Sequence, residues 1–157
     1  IPPVTVNGEL VSSTTIRRAV ESGDLQKAAA MLGREYTILG TVVRGDDLGK
    51  KIGFPTANLS AHNEQFPPNG VYFAEARLEG VAYPGVVNLG YRPTVSSSKT
   101  ERILEIHLLD FERDIYGKDL EVRFISYLRP EKKFEDIDAL VHQIERDVQQ
   151  ARELSAR

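Results

Sequence analysis

The chain has no cysteine, which excludes disulfides, thiolate metal centres and thiol catalysis and accords with a reducing compartment. It has no excess of positive charge either. With 20 Lys and Arg against 23 Asp and Glu the net charge is −3, so no overall field draws in nucleic acid or an anionic membrane, and an anionic ligand must be held by a local site. No apolar run approaches the length that spans a bilayer, and the N-terminus lacks the charged-then-apolar pattern of a signal peptide. The three histidines, at 62, 107 and 142, are too far apart for metal-ligand spacing. These absences predict a soluble, cytoplasmic protein with neither a nucleic-acid nor a membrane partner. What is left is a chain of 157 residues, 41% of them hydrophobic, long enough for one domain with a real core. It opens on Ile1, Pro2 and Pro3 without a methionine, and the expectation is a fragment of something longer.

The first segment has helical character. Ser12 and Ser13 are good N-cap residues before Thr14 to Glu21, Ser22-Gly23-Asp24 supplies a stop and a new cap, and Leu25 to Leu32 forms a second short helix ended by Gly33. From Tyr36 the pattern changes to strands rich in Val, Ile, Tyr and Phe, broken by Gly, Pro and Asn. The expected boundary therefore separates 1–33 from 34–157.

Strands are expected at Tyr36 to Val43, Val71 to Leu78, Val81 to Asn88, Arg102 to Leu109 and Leu120 to Leu128, with a short one at Ala57 to Leu59. Glu79-Gly80 is a hairpin signal, and Tyr116-Gly117-Lys118 suits a turn rather than a substrate contact. Short turns and the lack of helical crossovers imply antiparallel pairing, and closure into a small barrel removes exposed edges. The fold class is mainly β. One long helix follows, from about Phe134 to Glu153, with Ile137, Val141, Ile144, Val148 and Ala151 recurring at helical spacing as the stripe that packs on the barrel. Glu135, Asp136 and Asp138 would lie in its first turn, where negative charge complements the helix dipole.

The chemistry concentrates between the first strand and Ala57. The loop from Arg44 to Gly53 carries glycines at 45, 49 and 53 and bases at 44, 50 and 51, so its backbone can approach phosphate oxygens closely. It is not a Walker sequence, because Gly-Lys-Lys lacks the Ser/Thr ending and no helix follows. Phe54-Pro55-Thr56-Ala57-Asn58 then places a hydroxyl and a carboxamide two residues apart, on one side of an extended segment. Such a pair of hard oxygen donors beside a phosphate loop suits Mg²⁺, and equally suits bonding to nearby backbone at a strand entry.

The run Gly49-Lys-Lys-Ile-Gly-Phe-Pro-Thr-Ala-Asn58, followed by Glu105-x-His107-x-Leu109-Asp-Phe111, Asp114-x-Tyr116-Gly117 and Arg129-Pro-Glu-x-Lys-Phe134, resembles the riboflavin kinase family over roughly Tyr36 to Arg157. It is most similar to the kinase module of the bacterial bifunctional riboflavin kinase/FAD synthetase. Ser12-Ser-Thr-Thr-Ile-Arg17 is similar to the last signature of that enzyme's adenylyltransferase module. The resemblance implies a six-stranded antiparallel Greek-key barrel with a C-terminal helix, and riboflavin and ATP as substrates. It implies Mg²⁺ held by Thr56 and Asn58, with an adenylyltransferase module on the same full-length chain. By similarity, Gly45, Gly49, Lys50, Gly53, Pro55, Thr56, Asn58 and Asn88 would bind ATP. Arg129, Phe134, Glu135, Ile137 and Val141 would lie near the flavin, and Glu105 would be the catalytic base. FAD synthesis is not expected, since nothing before Ser12 supplies that module's nucleotide-binding histidine motif.

The residues themselves accord with Glu105 in that role. Leu104, Ile106 and Leu108 alternate with Glu105 and His107, so the carboxylate should face away from the barrel interior and be reachable. A positioned carboxylate can take the proton of a hydroxyl as it attacks a γ-phosphorus. His107 carries no assigned role. Asn88-Leu-Gly-Tyr-Arg-Pro-Thr94 resembles a second family signature on the nucleotide side, its Gly and Pro suiting a strand exit. Arg129, held extended before Pro130, should project from the sheet end toward the helix start. A non-catalytic flavin- or nucleotide-binding barrel is the alternative, but a degenerate copy should have lost Thr56, Asn58 or Glu105. A nucleic-acid-binding barrel would need a basic groove with interleaved aromatics, which the acidic balance disfavours.

Overall fold

In the computed structural model, residues 2–45, 47–62, 65–93 and 100–157 are described, without the side chains of Arg92, Pro93 and Thr100. Three of the local signals act as expected. Ser12 caps α1 (Ser13–Glu21) by a reciprocal box with Thr15, its Oγ accepting from the Thr15 N–H at 3.1 Å. Asp24 caps α2 (Leu25–Leu32) by accepting from the Lys27 N–H, and Gly33 ends it in the left-handed conformation at φ 76°. Such caps each contribute about 1 kcal/mol by satisfying N–H groups that the first turn leaves unpaired. A two-stranded ribbon of β1 (Thr5–Val6) and β2 (Glu9–Leu10) precedes them. Its Asn7-Gly8 turn, with both φ values positive, is the hairpin signal that the sequence reading passed over.

Six strands close a barrel: β3 (Thr37–Val43), β4 (Ala57–Ala61), β5 (Gly70–Leu78), β6 (Val81–Pro93), β7 (Thr100–Leu108) and β8 (Asp119–Arg129). Around the barrel they run β3-β4-β7-β6-β5-β8, every neighbouring pair antiparallel. Strand β8 lies beside β5, giving the order 8-5-6-7 of a Greek key. The hairpin between β5 and β6 turns at Glu79 and Gly80, with φ of 50° and 84°, the geometry that matches the strand twist. Strand β6 runs past the expected exit at Asn88, because Gly90 to Pro93 keep pairing with β7 as far as Pro93 against Thr100.

Alternation fills the interior. Ile38, Val42, Leu59, Ala74, Val87, Leu104, Ile106, Leu120 and Val122 are all at most 5% exposed and form one cluster. Each large aliphatic side chain so buried is worth about 1.5–3 kcal/mol against its exposed state. Helices α1 and α2 join this core through Leu25 and Tyr36, which pack against both clusters.

The last helix, α4 (Ile137–Ser155), starts three residues later than expected. Asp136 is its N-cap, accepting from the Ala139 N–H at 2.8 Å, so Phe134 and Glu135 belong to the preceding loop. Its packed stripe holds at Val148 and Ala151 and fails at Ile137. Ala151 and Val148 pack with Leu154 against Phe73, Leu109, Val86 and Leu128, whereas Ile137 is 54% exposed. Among the described residues no helix is long and apolar enough to cross a membrane.

Candidate active site

Two cavities flank the segment Phe54–Asn58. The first, about 260 Å³, lies outside the barrel, between the outer face of the sheet and α4. Val86, Asn88, Glu105 and His107 form its floor, and Leu140, Ile144, Asp147 and Val148 of α4 its far wall. The second, about 360 Å³, opens at the barrel mouth between Lys50–Ala57 and Phe111–Tyr116, over Val42, Ile106 and Leu108. Thr56 lines both.

Pairing explains the first cavity's polar floor. Glu105 on β7 stands opposite Asn58 on β4 and opposite Asn88 on β6. Because directly paired residues of antiparallel strands share a face about 5 Å apart, the three make one polar row across three strands. Leu59 and Leu104, one step along, point inward and are buried. The Asn88 Oδ1 is buried and, alone among the buried side-chain polar atoms of the described residues, has no hydrogen-bond partner. A buried acceptor left unmatched costs about 1–3 kcal/mol and calls for a donor from outside the protein.

His107 is more than an ordinary surface residue. Its Nδ1 lies 2.8 Å from the Pro55 carbonyl oxygen. Since a carbonyl can only accept, Nδ1 must carry the proton. The ring also meets Phe54 edge-on at 5.7 Å. This pins the Phe54–Asn58 segment to β7 immediately beside Glu105.

The glycine loop differs from expectation. Leu48–Lys51 form a single helical turn, α3, entered through Asp47 at φ 58°. Asp46 lies outside the described residues. The N–H groups of Lys51, Ile52, Gly53 and Phe54 donate to Asp47, Leu48, Lys50 and Gly49 carbonyls, so these four do not point at an anion. Close approach is the reason for two of the glycines. A Cβ at Gly49 would come within 2.4 Å of the Phe54 carbonyl oxygen, and one at Gly45 within 1.4 Å of Asn58 Nδ2. Asn58 is therefore covered by Gly45 and is in the lining of neither cavity. Arg44 lies over the Tyr116 ring at 4.7 Å, and Tyr116 is a wall of the barrel-mouth cavity as well as a turn residue.

The expected nucleotide residues divide between the cavities. Lys50 and Pro55 line the barrel-mouth cavity, Gly49 and Asn88 the barrel–helix cavity, and Thr56 both. Gly53 lines neither and serves as a turn at φ 93°. Of those expected near flavin, Arg129 and Phe134 line the barrel–helix cavity, whereas Glu135, Ile137 and Val141 do not. Arg129 does reach the loop that leads into α4, its guanidinium 6.0 Å from the Phe134 ring centroid, but its ion-pair partner is not at the helix start. Asp147, three turns into the helix, captures it instead: Nε donates to Oδ1 at 2.9 Å and Nη2 to Oδ2 at 2.8 Å. Thr94 lies outside the described residues.

A Glu in register with two Asn residues thus lies beside a glycine-bearing loop and under a capping helix. The flavokinase family model, described as riboflavin kinase, matches residues 32–155. The chain belongs to the riboflavin kinase family. It is 44% identical over 148 residues to a bifunctional riboflavin kinase/FMN adenylyltransferase of Haemophilus influenzae, covering 94% of this chain and 47% of that one. The chain thus spans about half the length of the curated relatives it matches. A crystal structure described as a macrolide-efflux protein of Streptococcus pneumoniae is 32% identical with a TM-score of 0.81, covering 97% of this chain and 50% of that one. The riboflavin kinase structure from Trypanosoma brucei, at 24% identity, shares the fold with a TM-score of 0.54 over 77% of this chain and 80% of that one.

Two site residues escaped the sequence reading. Asp147 is 4% exposed and falls within the apolar stripe between Ile144 and Val148, where an acid is out of place; that was a legible signal. His107 was legible as a motif residue on the face of Glu105, but not its task, since only tertiary pairing brings Pro55 to it.

Proposed function

We propose that this chain transfers the γ-phosphate of ATP to the 5′-hydroxyl of riboflavin, giving FMN and ADP. The observation that carries the reading is Thr56, one side chain in the wall of two cavities, with Glu105 in one and Lys50 in the other. Riboflavin fits the barrel–helix cavity, where apolar Val86, Leu140, Ile144 and Val148 face the polar row. ATP fits the barrel mouth, with its phosphates directed past Lys50 to Thr56.

Glu105 takes the proton of the 5′-hydroxyl as that oxygen bonds to the γ-phosphorus and the bond to the β–γ bridging oxygen breaks. His107 holds the Pro55 carbonyl and so fixes Thr56 relative to Glu105. Asn88 Oδ1 accepts from a hydroxyl of the bound flavin chain, which supplies its missing partner. Among the described residues no three His, Cys, Asp or Glu form a metal cluster. Thr56, in the wall of both cavities, offers one oxygen to a Mg²⁺ held mainly by phosphate, and Asn58 would offer a second where the Gly45 loop moves off it. Bound there, Mg²⁺ would neutralise phosphate charge. The loops 44–55 and 129–136 close over the substrates and exclude water. Residues 1–33, carrying the Ser12–Arg17 signature, are proposed to be the end of an adenylyltransferase module, with 34–157 as the kinase domain.

The test is to mix the chain with riboflavin, ATP and Mg²⁺ and to separate the flavins chromatographically. FMN is expected; its absence overturns the kinase reading, and FAD would overturn the assignment of FAD synthesis to a module outside this chain. Asn58→Ala should weaken the use of Mg-ATP, and unchanged kinetics would remove Asn58 from the site.

A further inference from the structure

One wall of the barrel–helix cavity is not made by the barrel. Glu131, Lys132 and Phe134 of the loop, with Leu140 and Ile144 of α4, supply it. These residues all fall between Arg129, the last residue of β8, and Asp147, the first buried residue of α4. The Arg129–Asp147 pair therefore joins the two ends of the segment 130–146. The carboxylate is fully engaged: besides the two bonds from Arg129, its Oδ1 accepts from Gln143 Nε2 at 3.0 Å. Its side chain is 5% exposed and that of Arg129 18%, so water screens the pair little.

A second pair with the same chemistry holds the other end of the helix. Arg152 of α4 makes two bonds to Asp110, beyond the end of β7, at 2.8 and 2.9 Å. That pair is exposed, and neither Asp110 nor Arg152 lines the cavity. Below Asp147 the helix is also fixed by Val148, Ala151 and Leu154 against the barrel. Above it, no residue of α4 is buried.

We infer that Asp147 is a positioning residue for the flavin side of the reaction: by fixing Arg129 it clips the base of segment 130–146 and holds the movable wall against the bound isoalloxazine. This rests on the kinase reading above. Three N–H donors converge on its two oxygens. Asparagine, with one acceptor oxygen and an NH₂ group, matches the shape but opposes a donor with a donor.

The test compares Asp147→Asn with Asp110→Asn in the same chain. Asp147→Asn should raise the KM for riboflavin by about tenfold or more, with the KM for ATP changed by less than about twofold, because a wall that no longer closes removes binding to one substrate only. Hydrogen–deuterium exchange of 130–142 should quicken while that of β5 to β7 does not. Asp110→Asn should change neither. A riboflavin KM and an exchange rate equal to wild type would overturn the inference, as would an equal rise in both KM values. Should Asp147→Asn fail to fold, Gln143→Leu removes one of the three donors and should shift the same two readouts the same way by less; no shift there overturns the proposal. Failure of the wild-type chain to make FMN would sink the kinase reading instead, and exchange in 130–142 would still decide whether Asp147 is the clip.

Discussion

Along β7, Leu104, Ile106 and Leu108 point into the barrel at 0%, 1% and 5% exposure, while Glu105 and His107, one residue out of step, point into a cavity. The inner set belongs to the core cluster, which draws aliphatic side chains from all six strands, so its task is volume and dryness. The outer set meets Asn58, Asn88 and the Pro55 carbonyl, so in the proposed reaction its task is the placement of a proton acceptor and of the segment beside it. One strand can serve both because the pleat sends alternate residues to opposite faces. Lesions on the two faces should then be separable.

The largest effect should come from the outer face. Glu105→Gln keeps the shape and removes the base, and FMN formation should fall by about 10²- to 10⁴-fold with the urea midpoint unchanged. A fall of less than about tenfold would mean that the outer face does not hold the base. Leu104→Ala should do the reverse, lowering the free energy of unfolding by about 2–5 kcal/mol while leaving the turnover of the folded fraction intact. Denaturant titration beside an activity assay separates the two. His107→Ala should be milder: losing the bond to Pro55 should reduce kcat/KM for ATP by up to about tenfold, on the usual worth of one hydrogen bond.

Two titrations sharpen the contrast between inside and outside. Tyr72, in the core cluster, has its hydroxyl pushed up to about 12, first by burial and then by the neighbouring Tyr127. A raised pKa means the folded state holds the proton more tightly than the unfolded chain. The stability it confers is whole below the ordinary value of 10.0 and is lost as pH rises toward about 12. The thermal unfolding temperature should therefore fall steeply across that window, and less so in Tyr72→Phe. On the solvent side, Asp110 is held below the usual carboxylate range, first by its hydrogen bonds from Arg152 and then by that residue's charge. A lowered pKa puts the benefit above the ordinary range and removes it as pH falls through the lowered value. The stability gap between wild type and Asp110→Asn should shrink in acid and also in high salt, since the pair is exposed. This is the smallest effect expected.

Much of this was legible in the sequence wherever a signal is local. Ser12, Asp24 and Gly33 cap helices because a side chain or a glycine there satisfies groups within three or four residues. The alternation of β7 and the Glu79-Gly80 turn are equally local. The start of α4 was misplaced because Glu135, Asp136 and Asp138 all suit a helix start by charge, and only the bond from Ala139 shows that Asp136 is the cap. The stripe of α4 was misjudged only at its N-terminal end, because the spacing that carries Val148 and Ala151 onto the barrel runs back equally to Ile137. The helix meets the barrel through Val148, Ala151 and Leu154 and leaves Ile137 in solvent.

The sequence by itself determined the family, through Gly49–Asn58 and the motifs at Glu105, Tyr116 and Arg129 that travel with it, and it determined which face of β7 is polar. Tertiary structure alone decided that Asn58, Glu105 and Asn88 form one row, that Pro55 rests on His107, and that Arg129 is taken by Asp147 rather than left to reach the helix start. The physical reason is register. Each of these contacts joins residues far apart in the chain, and their meeting depends on how strands pair and where a helix comes to rest, which no short stretch of residues encodes.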